Sequence, residues 1–130
     1  MAGYSGTPLV RKLGIAPGST LALLGAPPGF MKQLVGLPAD VRVSTRAVGA
    51  PDLVVWFVTR QRDLERRMAS ISALMQSGLW IAWPKRASGV TSDLSEDAIR
   101  AAGLAHGLVD YKVCAIDQTW SGLKFARRRT

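Results

Sequence analysis

A chain of 130 residues with net charge +8 suits one domain, and 48% hydrophobic against 20% charged residues is a globular composition. The longest apolar run, residues 53–58, is far short of the roughly 20 residues that span a bilayer. No signal pattern opens the chain, so a cytoplasmic location and no membrane partner are expected. A single cysteine, Cys114, excludes an internal disulfide, and a single histidine, His106, argues against a multi-histidine metal site.

The excess of 17 Lys and Arg over 9 Asp and Glu attracts phosphates, nucleic acids and anionic metabolites alike. Part of it falls in a basic tail, residues 126–130, which is expected to be solvated. The punctuation of the first residues predicts a short helix, with Thr7 as N-cap, Pro8 at the first position and Gly14 closing it. Pro17 and Gly18 then turn the chain into a strand, Thr20–Leu24. A Gly/Pro loop from Gly25 to Gly29 follows, and then a short helix on which Phe30 and Leu34 share a face.

Residues 41–45 alternate as a half-covered strand. Residues 53–58 are apolar on both parities, the mark of a central parallel strand buried on both sides. Leu64, Met68, Ile71 and Met75 then follow helical spacing, with Gly78 closing the helix and a pair between Asp63 and Arg67 on its surface. A fourth strand is predicted over residues 79–83. After a polar loop, Asp93 and Glu96 form a capping box, with Ser95 as the competing cap, for a helix that runs to His106 and ends at Gly107. A fifth strand over residues 109–116 turns through residues 117–122 into an antiparallel edge strand, residues 123–127.

Strands alternating with helices imply right-handed parallel crossovers. The expected fold is α/β: a mainly parallel Rossmann-like sheet of five to six strands, with a C-terminal antiparallel hairpin and helices on its faces. The whole chain, 1–130, forms one domain. In such sheets ligands bind beyond the carboxyl ends of the strands. That rule gathers residues 25–29, 59–60, 85–88 and 117–121 onto one rim.

The second half resembles the closing half of a Rossmann-like methyltransferase. Pro51-Asp52-Leu53-Val54-Val55 is similar to the acidic lead-in to a central strand of that fold, and Gly78-Leu79-Trp80-Ile81 to the turn into the next strand. The first half departs from that pattern. Its first strand runs out into Gly25-Ala26-Pro27-Pro28-Gly29 without the usual acidic residue, and its second ends at Ser44-Thr45-Arg46 without the acid that would hold a ribose. S-adenosylmethionine is therefore not expected to bind, and no cofactor is assigned; Arg46 suits a phosphate better than a neutral diol. A second resemblance covers nearly the whole chain. Tyr4-Ser5-Gly6-Thr7-Pro8-Leu9, Trp83-Pro84-Lys85, Ala87-Ser88-Gly89 and Thr119-Trp120-Ser121-Gly122 resemble a family of short bacterial proteins catalogued as a domain of unknown function.

The candidate ligand residues lie on the rim. Gly25 and Gly29 flank a loop that either cradles an anion or only packs strand against helix; no Gly-Lys-Ser/Thr follows, so it is not a Walker loop. Lys85, Arg86 and Ser88 leave a buried strand with two cations and a hydroxyl, able to hold a phosphate or carboxylate or merely to connect two elements. Trp120 either covers this rim or plugs the hairpin against the core. His106 at a helix end suits capping, Cys114 in a strand suits packing, and no triad, metal set or carboxylate pair is visible. The expectation is a non-catalytic domain that binds an anionic small molecule or partner at the rim. The alternatives are a transferase with a nucleotide-type cofactor and a basic nucleic-acid-binding module.

Overall fold

The strand read as central from its apolar run lies in the middle of the sheet. The computed structural model describes residues 7–129. In it, β3 (Leu53–Phe57) is buried along its whole length, Trp56 and Phe57 included. It pairs in parallel with β1 (Thr20–Leu24) on one side and with β4 (Gly78–Pro84) on the other, and β2 (Arg42–Ser44) adds in parallel outside β1. Beyond β4 the direction reverses: β6 (Trp120–Arg127) runs antiparallel to β4, and β5 (Leu108–Ala115) antiparallel to β6. The order is β2-β1-β3-β4-β6-β5. The chain moves outward from β1 to β2 and then returns to β3, so the winding reverses between β1 and β3.

The two faces are covered unequally. α2 (Gln61–Leu74) and α3 (Glu96–Ala105) lay Leu64, Met68, Ile71 and Ile99 on Val54, Ile81, Leu123 and Phe125. Among the described residues, the opposite face carries only the short α1 (Leu9–Leu13) and a 3-10 turn, Phe30–Gln33, and Leu13, Phe30 and Leu34 pack there with Leu23, Val55 and Trp80. Each such large apolar side chain contributes about 1.5–3 kcal/mol on full burial. Polar ties supplement this thinner layer. The Trp80 indole N–H donates to the Leu13 carbonyl at 2.9 Å. At the opening edge of the sheet the Asp52 carboxylate accepts from the Thr20 amide at 2.9 Å and hydroxyl at 3.2 Å.

Several local expectations are corrected. Thr7 does not cap α1: Pro8 is the cap residue, and its carbonyl accepts from the Arg11 and Lys12 amides. α2 ends at Leu74 with Met75 already extended, and Gly78 opens β4 instead of closing the helix. A side chain at Gly78 would crowd the Lys124 stem at 3.1 Å. Asp93 takes no part in a capping box. Ser95 caps α3 through the Ala98 amide, while the Asp93 carboxylate accepts the Gln61 amide at 2.7 Å and serves the first turn of α2. Asp63 pairs with Arg66, not Arg67.

The hairpin is also rearranged. β6 begins at Trp120, inside the expected turn, and lies between β4 and β5, so β5 is the edge strand. The strand with the stronger apolar alternation, containing Leu123 and Phe125, takes the interior place. β6 also extends through Ala126 and Arg127, the first residues of the expected basic tail, and the Arg127 guanidinium donates to the Ser72 and Met75 carbonyls at the end of α2. Tyr4, Ser5 and Gly6, and Thr130, lie outside the described residues.

Candidate anion-binding rim

Strand register brings the exit loops together. Leu24 stands beside Trp56, Trp56 beside Ile81, and Pro84 opposite Trp120, so β1, β3 and β4 discharge their loops along one edge beside the start of β6. Residues 25–29, 59–60, 85–88 and 117–121 therefore share this edge.

An aromatic row lies beneath it. The Phe30 ring meets Phe57 edge-on at 4.8 Å between centroids, and Phe57 meets Trp120 edge-on at 5.0 Å. All three are buried, Trp120 the least so at 8% exposed. The row lies near the winding reversal between β1 and β3, where an open α/β sheet ordinarily receives its ligand. Gly25 makes the approach possible. It sits at φ 69°, and a Cβ there would lie 2.8 Å from the Phe57 carbonyl oxygen, so neither the conformation nor the space admits a side chain. Gly29, at φ 81°, starts the 3-10 turn that delivers Phe30.

Polar contacts join the loops above the row. The Gln33 amide donates to Asp117 at 3.2 Å, linking the loop after β1 to the β5–β6 turn. The other oxygen of Asp117 accepts from the Thr119 and Trp120 amides, both at 2.8 Å, and sets the turn that presents Trp120. The Lys85 amide donates to the Thr119 carbonyl at 2.7 Å. A 3-10 turn, Arg86–Ser88, follows, in which the Ser88 hydroxyl accepts from the Val90 amide at 3.2 Å and keeps its own proton to donate. Lys85 is half-buried and Arg86 exposed, and neither makes an ion pair among the described residues.

The strand ends carry no carboxylate at the two places a ribose would need one. β1 runs into Gly25-Ala26-Pro27-Pro28-Gly29, and β2 ends at Ser44, whose hydroxyl accepts from the Arg46 amide. A cleft of about 210 Å³ lies beside β2, lined by Arg42, Ser44, Val48 and Pro51, and shares no residue with the rim.

The remaining chemistry-bearing residues sit elsewhere. His106 ends α3, with Nδ1 3.0 Å from the Ala102 carbonyl. Cys114 is half-buried against the α1 face, and burial pushes its thiol up from the ordinary range. No three His, Cys, Asp or Glu residues gather for a metal ion among the described residues. No helix there is long and apolar enough to cross a membrane.

Sequence reasoning missed one cationic group. Lys12, Lys112 and Lys124 meet on the hairpin side of the α1 face. The Lys12 ammonium donates to the Ala115 carbonyl at 3.2 Å and the Lys124 ammonium to the Leu13 carbonyl at 3.3 Å, while Lys112 stands opposite Lys124. Only the hairpin register, which a one-residue irregularity between Asp110 and Lys112 shifts, pairs Lys112 with Lys124.

No family model matches the chain, nor does any curated protein sequence. Solved structures do. One is the magnesium protoporphyrin IX methyltransferase of Synechocystis PCC 6803 with bound SAM, at TM-score 0.63 and 12% identity over 92% of this chain and 74% of that one. The same enzyme with bound SAH gives 0.61 and 14%, over 92% and 78%. Another is a SAM-dependent methyltransferase from Aquifex aeolicus, at 0.65 and 12% over 90% and 86%. At these identities the likeness is one of fold: a Rossmann-like, methyltransferase-like α/β sheet.

Proposed function

We propose that this chain is a non-catalytic, methyltransferase-like domain whose rim binds an anionic small molecule or an anionic group of a partner. The observation that carries the reading is the buried aromatic row of Phe30, Phe57 and Trp120 at the edge that also carries Lys85 and Arg86, which make no ion pair among the described residues. The row occupies the crevice floor and leaves the loops above it as the binding surface.

The family fold raises S-adenosylmethionine, and the residues present do not fit it. The ends of β1 and β2 offer no carboxylate acceptor for ribose hydroxyls, two prolines remove amide donors from the β1 loop, and buried rings fill the floor. The same edge suits an anion. Lys85 and Arg86 supply charge, the Ser88 hydroxyl a donor, and the loop between Gly25 and Gly29 lies across the edge from them. Trp120 forms the floor of this site. The resemblance to short bacterial proteins of unknown function belongs to the same reading and brings no catalytic residue with it.

The test is a calorimetric titration with pyrophosphate at low salt. Each charge-assisted hydrogen bond contributes roughly 1.5–3 kcal/mol, so Lys85→Ala or Arg86→Ala weakens binding about tenfold or more. Neither substitution unfolds the protein, because Arg86 is exposed, Lys85 is only half-buried, and neither makes an ion pair among the described residues. Arg128→Ala, next to the chain end, changes affinity only slightly. Equal losses from all three substitutions would mean diffuse attraction to a basic surface, and the rim site would be wrong.

A further inference from the structure

We propose that the hairpin side of the α1 face is a track for single-stranded nucleic acid, with Lys12, Lys112 and Lys124 against phosphates and Tyr111 against a base. This surface is separate from the β1–β3 crevice and adjoins the rim only at Lys85.

Two regions distant in sequence, α1 and the β5–β6 hairpin, bring the cations together. Lys12 reaches from α1 to the Ala115 carbonyl of β5, and Lys124 reaches from β6 to the Leu13 carbonyl of α1. Lys112 and Lys124 are direct cross-strand partners, an arrangement of like charges that destabilises a sheet unless an anion offsets it. Burial and the Lys112 charge both push the Lys124 pKa down. The charges of Lys12, Lys112, Lys124 and Lys85 all favour the Cys114 thiolate, so each lies within electrostatic reach of that residue.

The neighbouring carboxylates are engaged elsewhere. Asp110 holds Arg100 on the α3 side of the sheet, and Asp117 accepts from two amides and Gln33. Tyr111, at the irregularity in edge strand β5, is 57% exposed, with the Lys124 ammonium 5.8 Å from its ring centre. An exposed ring among cations is the pairing that single strands use, stacking a base while the backbone runs over positive charge.

Length argues for a strand over a single phosphate. From Lys124 to Trp120 is four residues of β6, about 13 Å at the rise of an extended strand. Lys85 follows Pro84, the partner of Trp120. One phosphate does not reach from Lys112 to Lys85, whereas successive phosphates of a chain do.

The test is fluorescence anisotropy of a labelled 20-nucleotide oligoribonucleotide of mixed sequence, titrated with the full chain at several salt concentrations. Lys112→Ala lies on an exposed edge; it weakens binding about threefold or more and lowers the log–log salt slope by about 0.7. Tyr111→Ala weakens binding about fivefold or more through lost stacking. Arg62→Ala, exposed on α2 over the other face, leaves both readings nearly unchanged, and melting curves confirm that all three variants fold. Equal effects from Arg62→Ala and Lys112→Ala, no effect of Tyr111→Ala, or displacement by pyrophosphate as effective as by unlabelled strand would each overturn the track. So would loss of binding through Arg86→Ala with Lys112→Ala neutral; that result would move the strand to the rim and leave the rim reading standing.

Discussion

Cys114 shows how a single side chain is governed by two opposed fields. Burial disfavours the thiolate, and four lysine charges favour it; burial wins, so the thiol titrates above its ordinary range. In the pH interval between the unfolded and the raised folded value, the unfolded chain has lost its proton and the folded one has not. Stability therefore falls as pH rises through that interval and is unaffected by this group below it. Reactivity follows the same direction, since the thiolate is the nucleophile. At pH 8 the native protein is expected to react with iodoacetamide about severalfold more slowly than the same chain in denaturant. A native rate equal to the denatured one would show that the lysines win. His106 is a simpler case: its ring sits by the Ala102 carbonyl at the end of α3, as capping requires.

Among the elements, α3 depends on a close approach that sequence reading passed over. Gly103 faces the buried ring of Phe125, and a Cβ there would overlap the ring carbons. Arg100, one turn earlier, pairs with Glu96 at 2.7 Å on its own helix and with Asp110 at 3.0 Å on β5. Gly103→Ala is therefore expected to lower unfolding stability by about 1–3 kcal/mol, the ordinary cost of overpacking, measured by urea denaturation. An unchanged or raised stability would mean that α3 shifts freely on the sheet. The contrast explains what was legible. Leu53–Phe57 announced itself because an apolar run buried on both faces has one place in a parallel sheet, and Thr20–Leu24 because Pro17 and Gly18 turn the chain into it. Gly78, Asp93 and the order of the hairpin strands did not, because each is decided by a partner far along the chain: Lys124, the α2 N-terminus and β4. The gathering of the exit loops along one edge was legible for the same reason as the strands, since a topology rule places their ends together. The lysine cluster depended on hairpin register, which an irregularity at Tyr111 hides from simple alternation.

At the scale of the whole molecule, charge and fold lead to one conclusion. The carboxylates are largely engaged in caps, turns and pins: Asp52 on Thr20, Asp93 on α2, Asp117 in the hairpin turn, and Glu96, Asp97 and Asp110 around Arg100. The net charge of +8 is thus left to cations such as Arg86 and Lys112 that make no ion pair among the described residues. The sheet has a Rossmann-like, methyltransferase-like fold, while Phe30, Phe57 and Trp120 form a buried row near the β1–β3 winding reversal and neither β1 nor β2 ends in a carboxylate. On the proposed reading, this rim offers a cationic surface and no nucleoside site. Calorimetric titration of S-adenosylmethionine into the full chain at low salt tests it most directly. The expected result is no saturable heat up to about 100 μM ligand, where a cofactor bound at micromolar Kd would saturate; a saturable isotherm with micromolar Kd would contradict the account.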